Sequence, residues 1–361
     1  MRACLVNNFP KHTGAGKYAF NLFFGLRKLD PEVEMHYFGT TKENYGGLKT
    51  RQFNFNFPIL DSTLKSIYLI PKKVPLGHDI YHATNQFIAG TALTRKPCIV
   101  TCLDIIPLTE KKDFSFPVKI FLKKTFSSLK EANHILAISN YTKKQLEEKL
   151  DIESGNITVT HLGFDKRIFK KTGKKSSRKK LDLPQNVEII LNVGSEEPRK
   201  GVELGLNAFQ RILKNHPNAL FVRVGEKTNK IQSTIKKLGL EQKVVYLNGL
   251  SETMLCSVYN SSDVLLFCSR QEGFGFPLLE ASACELPIVC HDNSSISEVV
   301  GKNAFFAGDY SKEGFGEALL ECLENEKKSK KLVSFAKKKS EDFSWEKCSR
   351  ETYKVYEKFR S

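Results

Sequence analysis

The stretch Glu272-Gly273-Phe274-Gly275-Phe276-Pro277-Leu278-Leu279-Glu280-Ala281-Ser282-Ala283-Cys284 decides how this chain is read. It follows Val264-Leu265-Leu266-Phe267, a short apolar run of the kind that forms a buried parallel strand. Gly273 and Gly275 then make a loop whose backbone can approach a ligand without Cβ obstruction. Pro277 suits the first turn of a helix, because its φ is already helical and no donor is lost there. The order is strand, glycine loop and helix N-terminus, and such a terminus offers N–H groups to an anion or a sugar hydroxyl. Glu272 stands ahead of the loop and Glu280 about one turn into the helix. Carboxylates accept hydrogen bonds from vicinal hydroxyls, so the pair suggests a sugar nucleotide as ligand.

The two acids enclose seven residues. The fuller string E-G-F-G-x-P-x-x-E, followed by a small-residue helix and Pro287, resembles the E-x7-E motif of retaining GT-B glycosyltransferases, particularly family 4 (group 1). That resemblance implies an α/β protein of two Rossmann-like domains with parallel sheets facing across a cleft. It extends over nearly the whole chain, with its specific motifs concentrated in residues 187–300.

Composition is consistent with this. A chain of 361 residues, 40% of them hydrophobic, suggests two domains with substantial cores. No apolar run approaches the ~20 residues that span a bilayer, and the N-terminal Met1-Arg2-Ala3-Cys4-Leu5-Val6-Asn7 reads as a first strand rather than a signal peptide. The nine cysteines are scattered, without C-x-x-C or regular spacing, and several, such as Cys98, Cys102, Cys268 and Cys290, sit in or beside apolar runs. They read as reduced core residues of a cytoplasmic protein with no metal cluster. The net charge of +16 is uneven: residues 1–165 carry 22 Lys/Arg against 15 acids, residues 166–180 carry nine against none, and residues 181–361 are balanced at 25 each. Such a balance fits nucleic acid, an anionic membrane surface or phosphorylated substrates, or a general lysine-rich solubility bias. No nucleic-acid module is recognisable, so nucleic acid is not expected as a partner.

From the N-terminus, strands are expected near residues 1–7, 33–38, 79–82, 99–102, 135–138 and 157–160, with helices between them, notably 117–132 and 141–150. Strands alternating with helices call for a parallel sheet covered on both faces. Gly14-Ala15-Gly16-Lys17 after the first strand could open a dinucleotide fingerprint. No acidic residue ends the next strand, however, which disfavours a dehydrogenase. Residues 170–180, Lys-Lys-Thr-Gly-Lys-Lys-Ser-Ser-Arg-Lys-Lys, contain nothing apolar to bury and read as a solvated linker. Strands near 187–193, 219–224, 243–247, 264–267 and 287–290 form the second sheet. The expected division is an acceptor-side domain at 1–168, a basic linker at 169–180, a donor-nucleotide domain at 181–340, and a C-terminal helix at 341–361 that the resemblance implies crosses back to the first domain. Trp345, Cys348, Thr352, Val355, Tyr356 and Phe359 recur there at helical steps.

The resemblance also assigns roles. Gly194-Ser195-Glu196-Glu197-Pro198-Arg199-Lys200-Gly201 resembles the family's phosphate-binding segment, which makes Arg199 and Lys200 the cations that meet a departing nucleoside diphosphate. Glu272 would hold donor-sugar hydroxyls and Glu280 the ribose, with Gly194 and the backbone of Gly273, Phe274 and Gly275 lining the donor. Gly14 and Gly16 resemble the N-terminal glycine loop that faces the donor. His82 and Asp104 are candidate sugar or acceptor contacts, although a lone histidine at a strand end is commonly structural. Relatives commonly read V-T-x-H-D-x-x-P where this chain has Val100-Thr101-Cys102-Leu103-Asp104-Ile105-Ile106-Pro107. Leu103 has no side-chain donor or acceptor to replace that histidine. The expectation is a sugar transferase using a nucleotide-sugar donor and no metal cofactor. Its acceptor would be a growing glycan or lipid-linked, and the protein cytoplasmic or peripheral at the inner membrane face. The alternatives are a non-catalytic sugar-nucleotide or glycan-binding homologue and a sugar-nucleotide epimerase of the same fold, the latter disfavoured by the full motif string. Finally, Lys111 to Lys130 interleave cations with Phe114, Phe116, Val118, Ile120, Phe121, Leu122, Phe126 and Leu129. This pattern fits a basic amphipathic helix on a membrane or a helix packed on the first sheet.

Overall fold

A computed structural model describes residues 1–39, 48–50, 69–110 and 116–360. The chain divides into two compact units, Met1–Gly163 together with Phe343–Ser361, and Phe164–Asp342.

The first unit holds strands β1 (Ala3–Asn7), β2 (Glu34–Tyr37), β3 (Leu48–Thr50), β4 (Ile80–Ala83), β5 (Cys98–Cys102), β6 (His134–Ala137) and β7 (Ile157–Val159). They form one sheet in the order β3-β2-β1-β4-β5-β6-β7, and every described pairing is parallel. β1, β4, β5 and β6 are buried at every position, as strands covered by helices on both faces must be. The second unit repeats the plan with β8 (Ile189–Val193), β9 (Leu220–Val224), β10 (Val244–Leu247), β11 (Val264–Phe267), β12 (Ile288–Cys290) and β13 (Phe305–Phe306), ordered β10-β9-β8-β11-β12-β13 and again parallel. β3 and β13 are too short to carry a readable pattern. In both sheets the order reverses beside the first strand, between β1 and β4 and between β8 and β11. The loops leaving two such strands diverge, and α/β sheets hold their ligands in the crevice that results.

The expected solvated linker is instead the start of the second unit. Residues Lys174–Lys180 are a helix, and Arg178 is buried within it. Its Nε donates to the Ser261 carbonyl (2.8 Å), one terminal nitrogen to the Gln185 carbonyl (2.6 Å) and the other to Asp263 Oδ2 (2.7 Å). A segment without apolar residues can therefore dock by engaging every nitrogen of one buried guanidinium. Phe169 extends the same attachment, its ring edge-on to Tyr259 at 6.1 Å.

The helix spanning 117–132 is Phe116–Ser127 followed by the 3-10 turn Ser128–Glu131. Leu122, Thr125, Phe126 and Leu129 are buried, and Val118 and Phe121 pack on the same core. The apolar stripe thus faces the sheet, leaving Phe116 and Ile120 on the outside, 75% and 52% exposed. Lys111 and Phe114 lie outside the described residues. No helix among the described residues is long and apolar enough to cross a membrane.

The C-terminal helix, Trp345–Glu357, lies in the first unit against the helix Gly14–Leu29. A Cβ on Gly25 would sit 2.0 Å from Ser349 Oγ, so the close approach requires glycine there. Tyr353 donates to Asp30 (2.9 Å), which also holds the N-terminal ammonium (2.9 Å). Deeper in, Tyr356 hydroxyl lies 2.6 Å from His82 Nδ1, and Thr101 Oγ1 lies 2.7 Å from both His82 Nε2 and Tyr18 hydroxyl. Burial pushes the pKa of His82 from 6.5 down to about 3. The unfolded chain takes up a proton at this residue as pH falls through about 6.5 while the native state refuses it. Stability contributed by the neutral ring is therefore present above that pH and falls by ~1.4 kcal/mol per pH unit below it, until the ring titrates in the folded state near pH 3. Urea unfolding of His82→Asn at several pH values should show a shallower loss between pH ~6 and ~4 than wild type. Equal slopes would remove His82 from the acid response.

Candidate functional site

The site is built on the second unit, where Gly194 follows β8 and Glu272 follows β11, one on each side of the strand-order reversal. Gly194 has φ +145°, and its N–H donates to the Val224 carbonyl at 3.0 Å. The next segment closes in a short 3-10 turn, Pro198–Lys200, ended by Gly201 at φ 64°, ψ 30°. A Cβ on Gly201 would lie 2.3 Å from the Cys268 carbonyl. This glycine therefore lets the turn carrying Arg199 and Lys200 press against the end of β11. Arg270 N–H donates to the Arg199 carbonyl at 2.7 Å, which ties the two loops together.

Glu272 is the centre of the cluster. It is 6% exposed, with Lys200 Nζ 2.7 Å from Oε1 and Arg199 Nη1 3.2 Å from Oε2. Arg199 also reaches the Gln271 carbonyl (3.2 Å) and Glu197 (2.7 Å). Burial raises the pKa of Glu272, but Lys200 and Arg199 more than reverse this and hold it below the usual 4.5. With Glu197 as the second partner of Arg199, the cluster balances two cations against two carboxylates and holds both cations in fixed positions, each able to turn a charge-assisted donor to an anion.

The glycine loop is braced from behind. Ser295 Oγ donates to the carbonyls of Glu272 (3.0 Å) and Phe274 (3.1 Å), and Glu272 N–H donates to Ser294 Oγ (3.1 Å). Gly273 is buried, and the Phe274 side chain is also buried, so Phe274 offers the loop its backbone rather than its ring. Gly275 adopts φ 106°, ψ 64° and begins the helix Phe276–Ala283, with Pro277 in its first turn. Within that helix Glu280 is 3% exposed, and its Oε2 accepts from Tyr259 hydroxyl at 2.8 Å. The structure brings Arg199, Lys200 and Glu272 into one cluster, while Glu280 is held separately by Tyr259.

Three supports escaped the sequence reading. Ser295 and Tyr259 leave no pattern in one sequence. Arg223 does leave one, being a lone cation inside the apolar strand Leu220-Phe221-Val222-Arg223-Val224. It is buried and donates to the carbonyls of Gly194 (2.6 Å), Val224 (2.6 Å) and Asn192 (3.4 Å), fixing the glycine turn after β8. An open cavity bordered by Glu196, Glu197, Pro198, Thr228, Arg270 and Tyr310 adjoins that turn.

In the first unit the candidates divide differently. Gly14 begins the helix Gly14–Leu29, capped by Thr13, whose Oγ1 accepts the Gly16 N–H at 3.1 Å. A Cβ on Gly16 would lie 1.9 Å from the Pro10 carbonyl. Gly16 is therefore required by the turn itself, and its N–H is committed to the cap rather than to a donor. His82 is fully buried with both ring nitrogens engaged, so it belongs to the core and not to a ligand contact. Asp104 is half-buried, and its Oδ1 accepts from Ile106 N–H at 3.1 Å. Leu103, beside it, donates its N–H to Gln86 Oε1 (3.1 Å).

Replacing Glu272 by Gln would leave Lys200 without its carboxylate and Arg199 with only Glu197. Breaking such a pair by removing one partner costs about 3 kcal/mol. Because the carboxylate pKa is depressed, this contribution is present above pH 4.5 and lost as pH falls through the lower folded value. Urea midpoints of Glu272→Gln and wild type at neutral pH should differ accordingly, and converge in acid. Equal midpoints at neutral pH would show that the triad adds nothing to stability.

The chain resembles known proteins in sequence and in fold. The family described as "Glycosyl transferases group 1" matches residues 173–339, and "Glycosyltransferase Family 4" matches residues 12–167. The chain is 24% identical to the O-antigen chain mannosyltransferase B of Escherichia coli over 291 residues, covering 77% of this chain and 74% of that one. It is 29% identical to an uncharacterized glycosyltransferase of Methanocaldococcus jannaschii over 63% of this chain and 60% of that one. Among solved structures, sucrose-phosphate synthase from Thermosynechococcus elongatus superposes with a TM-score of 0.83 at 15% identity, over 99% of each chain. HepE from Anabaena in complex with UDP-glucose gives 0.79 at 16% identity, again over 99% of each. The chain belongs to the group 1, family 4 glycosyltransferases, is an enzyme of the hexosyltransferase kind, and has the GT-B fold.

Proposed function

We propose that the protein transfers a hexosyl unit from a nucleoside diphosphate sugar to a growing or lipid-linked glycan, with retention of configuration and without a metal ion. The observation that carries this reading is the buried carboxylate of Glu272 held between Arg199 and Lys200 at the loops after β8 and β11. Breaking the bond between the sugar and the diphosphate builds negative charge on the leaving oxygens. Fixed cations already oriented by Glu272 meet that charge without reorganising, the effect that is usually largest in catalysis. Glu280, aimed by Tyr259, is the acceptor for the ribose hydroxyls, and the backbone from Gly273 to Gly275 lines the sugar. Support for the donor class comes from the HepE structure with UDP-glucose and from a trehalose-6-phosphate protein of E. coli bound with UDP-2-fluoro glucose. The O-antigen mannosyltransferase supports a glycan acceptor. Leu103 favours a second reading, a homologue that binds the donor without transferring it. Transfer from labelled donors separates the two.

A thermal-shift screen with UDP-, GDP- and ADP-sugars identifies the donor, since a ligand at ~100 times its Kd adds ~2.7 kcal/mol of stability. With that donor, Lys200→Ala should lose 10²–10³-fold in turnover, about 2.7–4 kcal/mol of barrier, while keeping its fold. A folded variant with normal turnover would take Lys200 out of the chemistry.

For the lipid side, Phe116 and Ile120 project beside Lys119 and Lys123, all exposed. This edge is proposed to rest on an anionic membrane, each lysine contributing ~1 kcal/mol near the surface. Sedimentation should show binding to anionic vesicles, weakened by high salt and by Phe116→Ser with Ile120→Ser, and little binding to neutral ones. Indifference to lipid charge would leave a non-membrane acceptor.

A further inference from the structure

One face of the first unit's sheet gathers, from β1, β2 and the approach to β4, a set of metal-ligating side chains that the proposed transfer reaction does not use. In a parallel ladder, paired residues point to the same face, as do residues two apart on one strand. Cys4 pairs with Glu34 across β1 and β2, so Cys4, Glu34 and His36 share one face of the sheet. His78, two residues ahead of β4, joins them. The donor atoms of Cys4, His36 and His78 all lie within 4.8 Å of one another. Glu34 Oε2 lies 3.5 Å from His36 Nε2 and 3.4 Å from His78 Nε2. Cys4 is fully buried and His36 is 2% exposed. The two imidazoles stand edge-on, 6.2 Å apart at 83°, and His78 Nδ1 is buried without a hydrogen-bond partner.

We propose that Cys4, His36, His78 and Glu34 form a closed four-donor site for zinc or a similar divalent transition metal, and that its role is structural.

A tetrahedral zinc with bonds of about 2.0–2.3 Å places its donors about 3.3–3.8 Å apart. The carboxylate–imidazole separations already have that value, the Cys4, His36 and His78 donors need to contract by about an ångström, and Glu34 would close on Cys4 by turning its carboxylate. The donor set of one thiolate, one carboxylate and two neutral imidazoles also balances the 2+ charge, so the filled site is neutral and can stay buried. Lys49, 2.8 Å from both oxygens of Glu34, would remain as the carboxylate's outer partner. Binding exchanges the Cys4 thiol proton, released to solvent, for the metal, and nothing is oxidised or reduced. Because the thiol must give up its proton to the metal, metal affinity should fall as pH falls. With four protein donors no position is left for substrate. Cys4, Glu34 and His78 also lie near the amino ends of their strands, whereas α/β sheets place ligands at the carboxyl ends. Scattered cysteine spacing hides such a cluster, because its donors meet only through strand pairing.

The test uses the full chain stripped of metal by a chelator. Titration with Co(II) should give a thiolate-to-cobalt charge-transfer band that saturates at one equivalent and is displaced by Zn(II). Cys4→Ser should abolish the band. Zn(II) should also raise the melting temperature of wild type, whereas His78→Ala, a change at the less buried rim of the cluster, should bind at least ~10–100-fold more weakly and show little shift. Absence of a thiolate band at one equivalent would overturn the proposal. So would a band that survives Cys4→Ser, or an undiminished zinc shift in His78→Ala.

Discussion

The structure of the second unit turns on one buried carboxylate. Removing Glu272 from water costs several kcal/mol, a cost met only when opposite charges sit in good geometry around it. Lys200 and Arg199 provide that geometry, each taking a different oxygen. Both come from the turn after β8, whereas Glu272 comes from the loop after β11, so satisfying the charge fixes how these loops sit. Gly201 makes the contact sterically possible, and Arg270 locks it through the Arg199 carbonyl. A carboxylate that holds two cations in place also fixes where they point. In the proposed transfer reaction, a diphosphate would meet charge that is already aimed, so little reorganisation would remain for the chemical step.

Around this triad, the remaining polar groups act as braces. Arg223 gathers the carbonyls that turn the chain at Gly194, and Ser295 gathers those of Glu272 and Phe274. Loops that approach a ligand through backbone cannot be stiffened by side chains pointing outward, and these stiffen them from inside the unit. A buried arginine satisfied by carbonyls recurs at Arg178, which attaches a lysine-rich helix that has no apolar face. In both places the carbonyls available at strand ends and turns offer the planar fork the acceptors it needs.

Which parts could be read in the sequence follows from the range of the interactions. Glu272, the glycine loop, Pro277 and Glu280 lie within nine residues, and the physics that places them is local, so the motif is visible as a string. Apolar runs marked nearly every long strand to within a residue or two for the same reason. The basic stretch at 170–180 was misread because the groups that bury Arg178 lie up to 85 positions away. His82 was ambiguous until Tyr356, 274 residues on, was seen to occupy its ring. Gly16 looked like a ligand contact, since a glycine needed for Pro10 and one needed for a phosphate are the same letter.

The sheet of the first unit shows why long-range pairing matters for function as well as fold. Parallel strands give the two ends of a sheet different fates. At the carboxyl ends chain leaves into loops that can diverge, and backbone amides and glycines become available to ligands. Towards the amino ends the same strands are held in register, so side chains from β1 and β2 meet at fixed spacing, and His78 joins them from the last residues before β4. Fixed spacing suits a group that must be held closed, and adjustable loops suit one that must admit and release a substrate. The placement of Cys4, Glu34 and His78 towards one end, and of Gly14 beyond the other, follows that division. Substitutions at the amino end are therefore expected to act through the stability of the unit, and those at the carboxyl end through what it binds.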